Sequence, residues 1–213
     1  MKQVPINTIT EVSRGSFIIS FTRDFDFIPG QVIGINIGEE QPARLYSIAS
    51  GNLEKEVRIL FTSKEDGYLT PKLAGCKTGD LIQISPPFGN FVCTEKSAFW
   101  IASGTGIAPF ASMIFSGMQD GKTLIHGSRF LSNFYFQNEI IQAMGSRFVR
   151  CCSAESETGI YTGRLTQYLK ELKYLPDDRN YYLCGSAEMV VDTRDILISK
   201  GIPYEKIISE IYF

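Results

Sequence analysis

Arg44-Leu45-Tyr46-Ser47 and, further along the chain, Gly104-Thr105-Gly106-Ile107-Ala108-Pro109 are the two stretches whose reading decides the fold. The second follows a short apolar run, Ala98-Phe99-Trp100-Ile101-Ala102, and precedes a helical stretch reaching about Met118. A glycine-rich turn between a strand and a helix is the setting that a phosphate-binding loop needs. Its glycines admit a pyrophosphate to the backbone, and the helix start offers N–H groups without intrahelical partners. Pro109 is tolerated in that first turn, although it stands where the dinucleotide fingerprint has its last glycine. An ordinary tight turn accounts for these residues equally well. In the first stretch, an extended backbone puts Arg44 and Tyr46 on one face and Ser47 on the other or at a bend. Arginine suits a pyrophosphate and tyrosine suits stacking on a flat ring. An edge strand with a surface arginine and a packed tyrosine is the plainer alternative.

Beyond the glycine turn, strand-like and helix-like segments alternate. They run through Lys122 to His126, Phe134 to Met144, Phe148 to Cys152, Leu165 to Leu172, Tyr181 to Cys184, Ala187 to Lys200 and Ile207 to Tyr212. Such alternation predicts a parallel sheet covered by helices. Before the turn, short strands dominate: Ile6 to Glu11 and Phe17 to Thr22 around the hairpin signal Ser13-Arg14-Gly15-Ser16, then Val32 to Ile37, Ala43 to Ala49, Val57 to Phe61 and Leu81 to Ser85. Closely spaced strands with regular turn signals predict a small antiparallel β-barrel. The expected fold class is therefore two-domain, an N-terminal antiparallel β-barrel over residues 1–95 and a C-terminal α/β parallel-sheet nucleotide-binding domain over 96–213.

Composition narrows the function. A net charge of −2 gives no footprint for nucleic acid, and no apolar run is long enough to span a bilayer. The opening Met1-Lys2-Gln3-Val4-Pro5 lacks a signal-peptide core, so a cytoplasmic location is expected. The cysteines, Cys76, Cys93, Cys151, Cys152 and Cys184, are odd in number and form no Cys-x-x-Cys pair. They argue against a disulfide framework, a zinc site or an iron–sulfur cluster. The single histidine, His126, ends an apolar run and reads as a packed or ligand-edge residue rather than a metal ligand.

Two further segments carry chemistry. Gly67-Tyr68-Leu69-Thr70 leads into Pro71-Lys72-Leu73-Ala74, a short helix with Thr70 as its expected cap and a second candidate anion site. Cys184-Gly185-Ser186 ends a strand and opens a helix capped by Ser186. In a parallel sheet this lies at the ligand-bearing carboxyl edge, though a buried structural cysteine reads the same way.

These blocks, in this order, resemble the ferredoxin–NAD(P)+ reductase family of two-domain flavoproteins, over nearly the whole chain. The resemblance implies a barrel that binds FAD and an α/β domain that binds NAD(P)H as substrate. Carried over by position, Arg44 contacts the FAD pyrophosphate, Tyr46 stacks on the flavin and Ser47 approaches flavin N5, with Leu45 in the same segment. Gly67, Tyr68, Leu69 and Thr70 match the second flavin-phosphate segment. Gly104, Thr105, Gly106 and Pro109 match the pyridine-nucleotide turn, and Cys184 and Gly185 match the pair beside the nicotinamide. The ending Glu210-Ile211-Tyr212-Phe213 resembles an aromatic C-terminus laid against FAD, which implies cofactor contacts for Tyr212 and Phe213. Ser47, Cys184 and Glu210 are the implied catalytic residues, Glu210 through proton movement. No metal is implied.

Arg129 and Arg164 are the candidate partners of a nucleotide 2′-phosphate, and they favour NADPH. Ala154 stands where a third cation is expected, and Glu155 beside it opposes a phosphate. With no iron–sulfur segment in the chain, the resemblance implies hydride transfer between NAD(P)H and flavin. Electrons then pass singly to a separate small redox protein: ferredoxin, flavodoxin or an oxygenase component. A reductase of free flavin and a non-catalytic flavin- or nucleotide-binding sensor are the alternatives.

Overall fold

The computed structural model describes residues 1–38 and 41–212. The chain divides into two compact units, Met1–Val92 with Ala108–Ser116, and Cys93–Ile107 with Gly117–Phe213.

In the first unit, β1 (Lys2–Pro5), β2 (Thr8–Ser13), β3 (Ser16–Thr22), β4 (Val32–Asn36), β5 (Arg44–Ser47), β6 (Glu56–Thr62) and β7 (Leu81–Ile84) form two antiparallel sheets. Their orders are β1-β7-β4-β5 and β2-β3-β6. An Ile48–Ile59 bridge links the segment after β5 to β6, and both sheets bury one apolar cluster that includes Ile19, Phe21, Ile33, Ile35, Ile59 and Ile82. This is the barrel expected from the sequence. Strand β1 was not among the strands read from the sequence. Pro5 is the last residue of β1, opposite Leu81.

The short helix α1 (Thr70–Ala74) forms as expected, but Thr70 is not its cap. Leu69 holds the cap position with no side-chain bond. The Thr70 hydroxyl instead accepts from the Lys64 backbone N–H at 3.0 Å, closing the turn in which Gly67 N–H donates to Lys64 O. Helix α2 (Ala108–Phe115) packs within this unit. Its buried Ser112 hydroxyl donates to the Ser50 carbonyl at 2.7 Å, and Arg58 lies over the Phe115 ring.

The second unit holds β8 (Ala98–Ser103), β9 (Lys122–Ser128), β10 (Phe148–Cys152), β11 (Tyr161–Thr162), β12 (Asn180–Ser186) and β13 (Ile207–Tyr212). They form one parallel sheet in the order β11-β10-β9-β8-β12-β13. Helices α3 (Gln137–Met144), α4 (Leu165–Glu171) and α5 (Ala187–Ser199) pack on it. Helix α3 starts three residues later than its apolar pattern suggests, because Phe136 adopts a left-handed φ of 57° at the cap. Helix α2 stops at Phe115, short of Met118, ahead of Gly117 at φ 79°. Among the described residues no helix is long and apolar enough to cross a membrane.

Replacing Ser112 by alanine removes a buried donor from the Ser50 carbonyl. Urea unfolding should show a loss of about 1–3 kcal/mol; an unchanged midpoint would mean that this bond does not hold α2 in place.

Candidate functional site

The strand order reverses at β8: β9 lies on one side of it, and β12, which comes much later in the chain, lies on the other. Ligands of open parallel sheets bind beyond the carboxyl ends at such a reversal. Both glycine turns are there. After β8 the chain makes a 3₁₀ turn, Gly104–Ile107, that runs straight into α2, with Pro109 as the second residue of that helix. A Cβ on Gly106 would sit 2.2 Å from the Cys184 carbonyl oxygen, so only glycine lets this turn press against the end of β12. Gly185, at φ +150°, is fixed in the same way: a Cβ there would meet the Ser103 hydroxyl at 2.2 Å. Around Gly104, by contrast, the space where a Cβ would point is open. Ser186 caps α5, its hydroxyl accepting from Met189 N–H.

A cavity of about 390 Å3 opens at this edge. Its wall includes Ser103, Ser128, Ser153 and Ser186, each at or just past the end of a strand, so hydroxyls follow the sheet order β10, β9, β8, β12. Gly104, Arg129 and Arg164 also line it, with Glu188 and Asp192. Ser103, Ser128, Ser153, Thr166, Glu188 and Asp192 were not picked out from sequence, and Ser186 only as a helix cap, although a serine recurring at successive strand ends was a usable signal.

Arg164 pairs with Glu188 at 3.0 Å, both well exposed. Arg129 lies over the Phe130 ring. Glu155, the acid that the sequence sets against a phosphate, does not line the cavity: its carboxylate accepts from Leu131 N–H. Ala154 is exposed, and its N–H donates to Arg129 O.

Cys184 is fully buried and does not line the cavity. Burial and then the Glu210 charge push its thiol well above the usual range, against a hydrogen bond from Tyr212. Glu210 and Tyr212 reach it because β13 pairs with β12, Glu210 opposite Cys184 and Tyr212 opposite Ser186. Phe213 lies outside the described residues. His126 is packed, as its sequence context indicated, with its Nε2 at 3.0 Å from the Gly104 carbonyl oxygen.

On the barrel, burial deepens along β5 from exposed Arg44 and Leu45 through half-buried Tyr46 to buried Ser47. Tyr46 packs edge-on against Phe61, and burial raises its phenol to about 12, against the pull of Arg44. Among the described residues Arg44 makes no ion pair. In the second segment the Leu69 side chain is buried in the core and only its backbone is available to a ligand. Lys72 Nζ lies 3.9 Å from the Tyr68 ring centre. The Thr70 hydroxyl keeps its proton to donate, having used its oxygen on Lys64.

Residues 3–93 match the oxidoreductase FAD-binding domain and residues 100–195 the oxidoreductase NAD-binding domain. The chain belongs to the ferredoxin–NAD(P)+ reductase family. It is 27% identical over 203 residues to the ferredoxin–NADP reductase of Azotobacter vinelandii, covering 80% of this chain and 77% of that one. It is 24% identical over 216 residues to the toluate 1,2-dioxygenase electron transfer component of Pseudomonas putida, covering 94% and 64%. The chain spans 46% of a Candida albicans flavohemoprotein that it also matches. The fold is that of a Neisseria gonorrhoeae ferredoxin NADP+ reductase solved with bound FAD and NADP: the TM-score is 0.87 at 22% identity, over 100% of this chain and 98% of that one.

The residues present fit both cofactor classes of the family. Open space at Gly104 and the hydroxyl row suit a dinucleotide, and the exposed guanidinium of Arg44 beside Tyr46 suits a flavin pyrophosphate and ring. Gly106→Ala should destabilise the second unit by about 3 kcal/mol, the upper end of overpacking costs, because the atoms met are backbone. Hydrogen exchange should report the loss at the ends of β8 and β12, whereas exchange unchanged there would contradict the close crossing.

Proposed function

We propose that this protein is an FAD-dependent oxidoreductase that takes electrons from NADPH and passes them singly to a small redox protein, either ferredoxin, flavodoxin or an oxygenase component. The observation that carries the reading is the 390 Å3 cavity at the carboxyl edge, rimmed by Gly104, four strand-end hydroxyls, Arg129 and Arg164. The names of the relatives support the partner class, and a cytoplasmic location belongs to the same reading. The domain division follows it, with residues 1–95 for flavin and 96–213 for nucleotide, and is supported by the extents of the two family matches.

Bound FAD supplies the exchange between two-electron and one-electron chemistry. In this proposal Arg44 holds the flavin pyrophosphate through charge-assisted bonds, Tyr46 lies against the ring and Ser47 directs its hydroxyl to N5. The segment after Gly67, through Thr70, gives backbone N–H groups and the Thr70 O–H to the flavin phosphates. Gly104, Thr105, Gly106 and Pro109 shape the turn that receives the nicotinamide nucleotide's pyrophosphate. Cys184 and Gly185 shape the nicotinamide contact, and the raised thiol stays protonated there. Glu210 moves a proton.

Arg129 and Arg164 take the 2′-phosphate. The Arg164–Glu188 pair is well exposed, and surface pairs of this kind contribute only about 0–1 kcal/mol, so a phosphate displaces the carboxylate readily.

Purified protein should be yellow with about one FAD per chain. Arg44→Ala should weaken FAD binding by about 1.5–3 kcal/mol, read by flavin fluorescence on dilution. A colourless protein that reduces added free flavin would instead make it a free-flavin reductase, and a yellow protein that neither nucleotide reduces anaerobically would make it a sensor. Ser47→Ala should keep FAD and slow its anaerobic reduction, and equal rates would remove Ser47 from the mechanism.

For nucleotide choice, kcat/KM should favour NADPH. Arg164→Ala should raise KM for NADPH several-fold and leave that for NADH nearly unchanged, and Glu188→Gln should lower KM for NADPH. A preference for NADH in the unmodified protein would overturn the nucleotide assignment alone.

A further inference from the structure

His126 occupies an unusual place for an ionisable side chain. It lies on β9, opposite Ala102 of β8 and Arg150 of β10, and is fully buried. Phe134 meets its ring edge-on and Phe148 stacks beyond it. A leucine or phenylalanine would fill such a site without polar cost. The imidazole makes one bond, Nε2 to the Gly104 carbonyl at 3.0 Å. Its Nδ1 is buried with no hydrogen-bond partner among the described residues.

A carbonyl can only accept, so Nε2 carries the proton and Nδ1 is the bare nitrogen. Burial holds the imidazolium form down to about pH 4, so the ring is neutral at working pH. The cost of an orphaned Nδ1 is therefore borne for a single bond, and that bond ends on the first residue of the nucleotide turn. Gly104 itself is at φ +52°, left-handed, with open space around it. Nothing in its own side chain fixes which way its two peptide groups face. A carbonyl anchored inward on His126 fixes the peptide plane that follows it, and with it the direction of the Thr105 N–H. The same bond spans neighbouring strands, from the end of β8 into β9.

We propose that His126 is a positioning residue for nucleotide binding: its Nε2–H locks the Gly104 carbonyl toward the sheet and so keeps the N–H groups of the 104–107 turn arranged for a dinucleotide pyrophosphate. This rests on the reading of the cavity as the nicotinamide-nucleotide site. His126 does not touch the reacting atoms and takes no part in proton transfer.

The test compares His126→Leu, which keeps the bulk and loses the donor, with His126→Gln, whose Nε2 amide can donate to the same carbonyl. The dissociation constant for NADPH should rise about five- to tenfold in the leucine variant, the scale of one hydrogen bond, and return to within about twofold of the parent in the glutamine variant. FAD content and the flavin reduction rate at saturating NADPH should change little in either. Equal affinity in parent and leucine variant overturns the proposal and leaves the cavity reading intact, whereas a parent that binds neither nucleotide overturns both.

Should neither variant fold, the parent still decides. As His126 is the chain's single histidine, the untagged protein gives one imidazole spin system by nitrogen-15 NMR. A protonated Nε2 with bare Nδ1, and an Nε2–H resonance that moves when NADP+ is added, supports the proposal. A protonated Nδ1, or a resonance indifferent to saturating NADP+, overturns it.

Discussion

The second unit depends on how closely two turns pass each other. Gly106 runs against the carbonyl of Cys184 at a distance that no side chain permits, and Gly185 runs in turn against the Ser103 hydroxyl. Because β8 and β12 are neighbours at the point where strand order reverses, their ends meet instead of diverging. Everything useful at this edge follows from that meeting. Gly104 opens on the cavity, the strand-end serines fall into a row, and Arg129 and Arg164 reach the same cavity from the segments after β9 and β11. Sterics at two glycines thus set where charge and hydroxyls collect.

The barrel solves a different problem, holding an exposed cation beside a buried hydroxyl on four consecutive residues. Strand β5 is the outer strand of its sheet, so its backbone is half-committed and its side chains can grade from solvent to core. Arg44 stays out, Ser47 goes in, and Tyr46 rests against Phe61 between them. Burial raises the Tyr46 phenol to about 12.

Much of this was legible in the sequence, where local chemistry and periodicity agree. The glycine turn, the Ser186 cap and the alternation from Ala98 onward are local signals, and each forms as read. What failed to show depends on contacts far apart in the chain. Pro5 sits in a strand because β7 pairs with it. Thr70 caps nothing because Lys64 claims its oxygen. Glu155 looked like the acid set against a phosphate, but it satisfies Leu131 N–H, and the carboxylate that lines the cavity beside Arg164 is Glu188, from a helix much later in the chain. The start of α3 was misread because a left-handed Phe136 leaves no trace in apolar periodicity.

The proposed function requires the carboxyl edge of the parallel sheet, built on the Gly106–Cys184 crossing, to bind the nicotinamide nucleotide. Amide hydrogen exchange of the FAD-loaded protein with and without saturating NADP+ tests it directly. New protection is expected at Thr105–Ile107, at Ser128 and Arg129 and at Ser186–Met189, with none at the opposite edge around Thr94–Lys96 and Gly117–Lys122. Protection at that opposite edge, with the glycine turns unchanged, would contradict it.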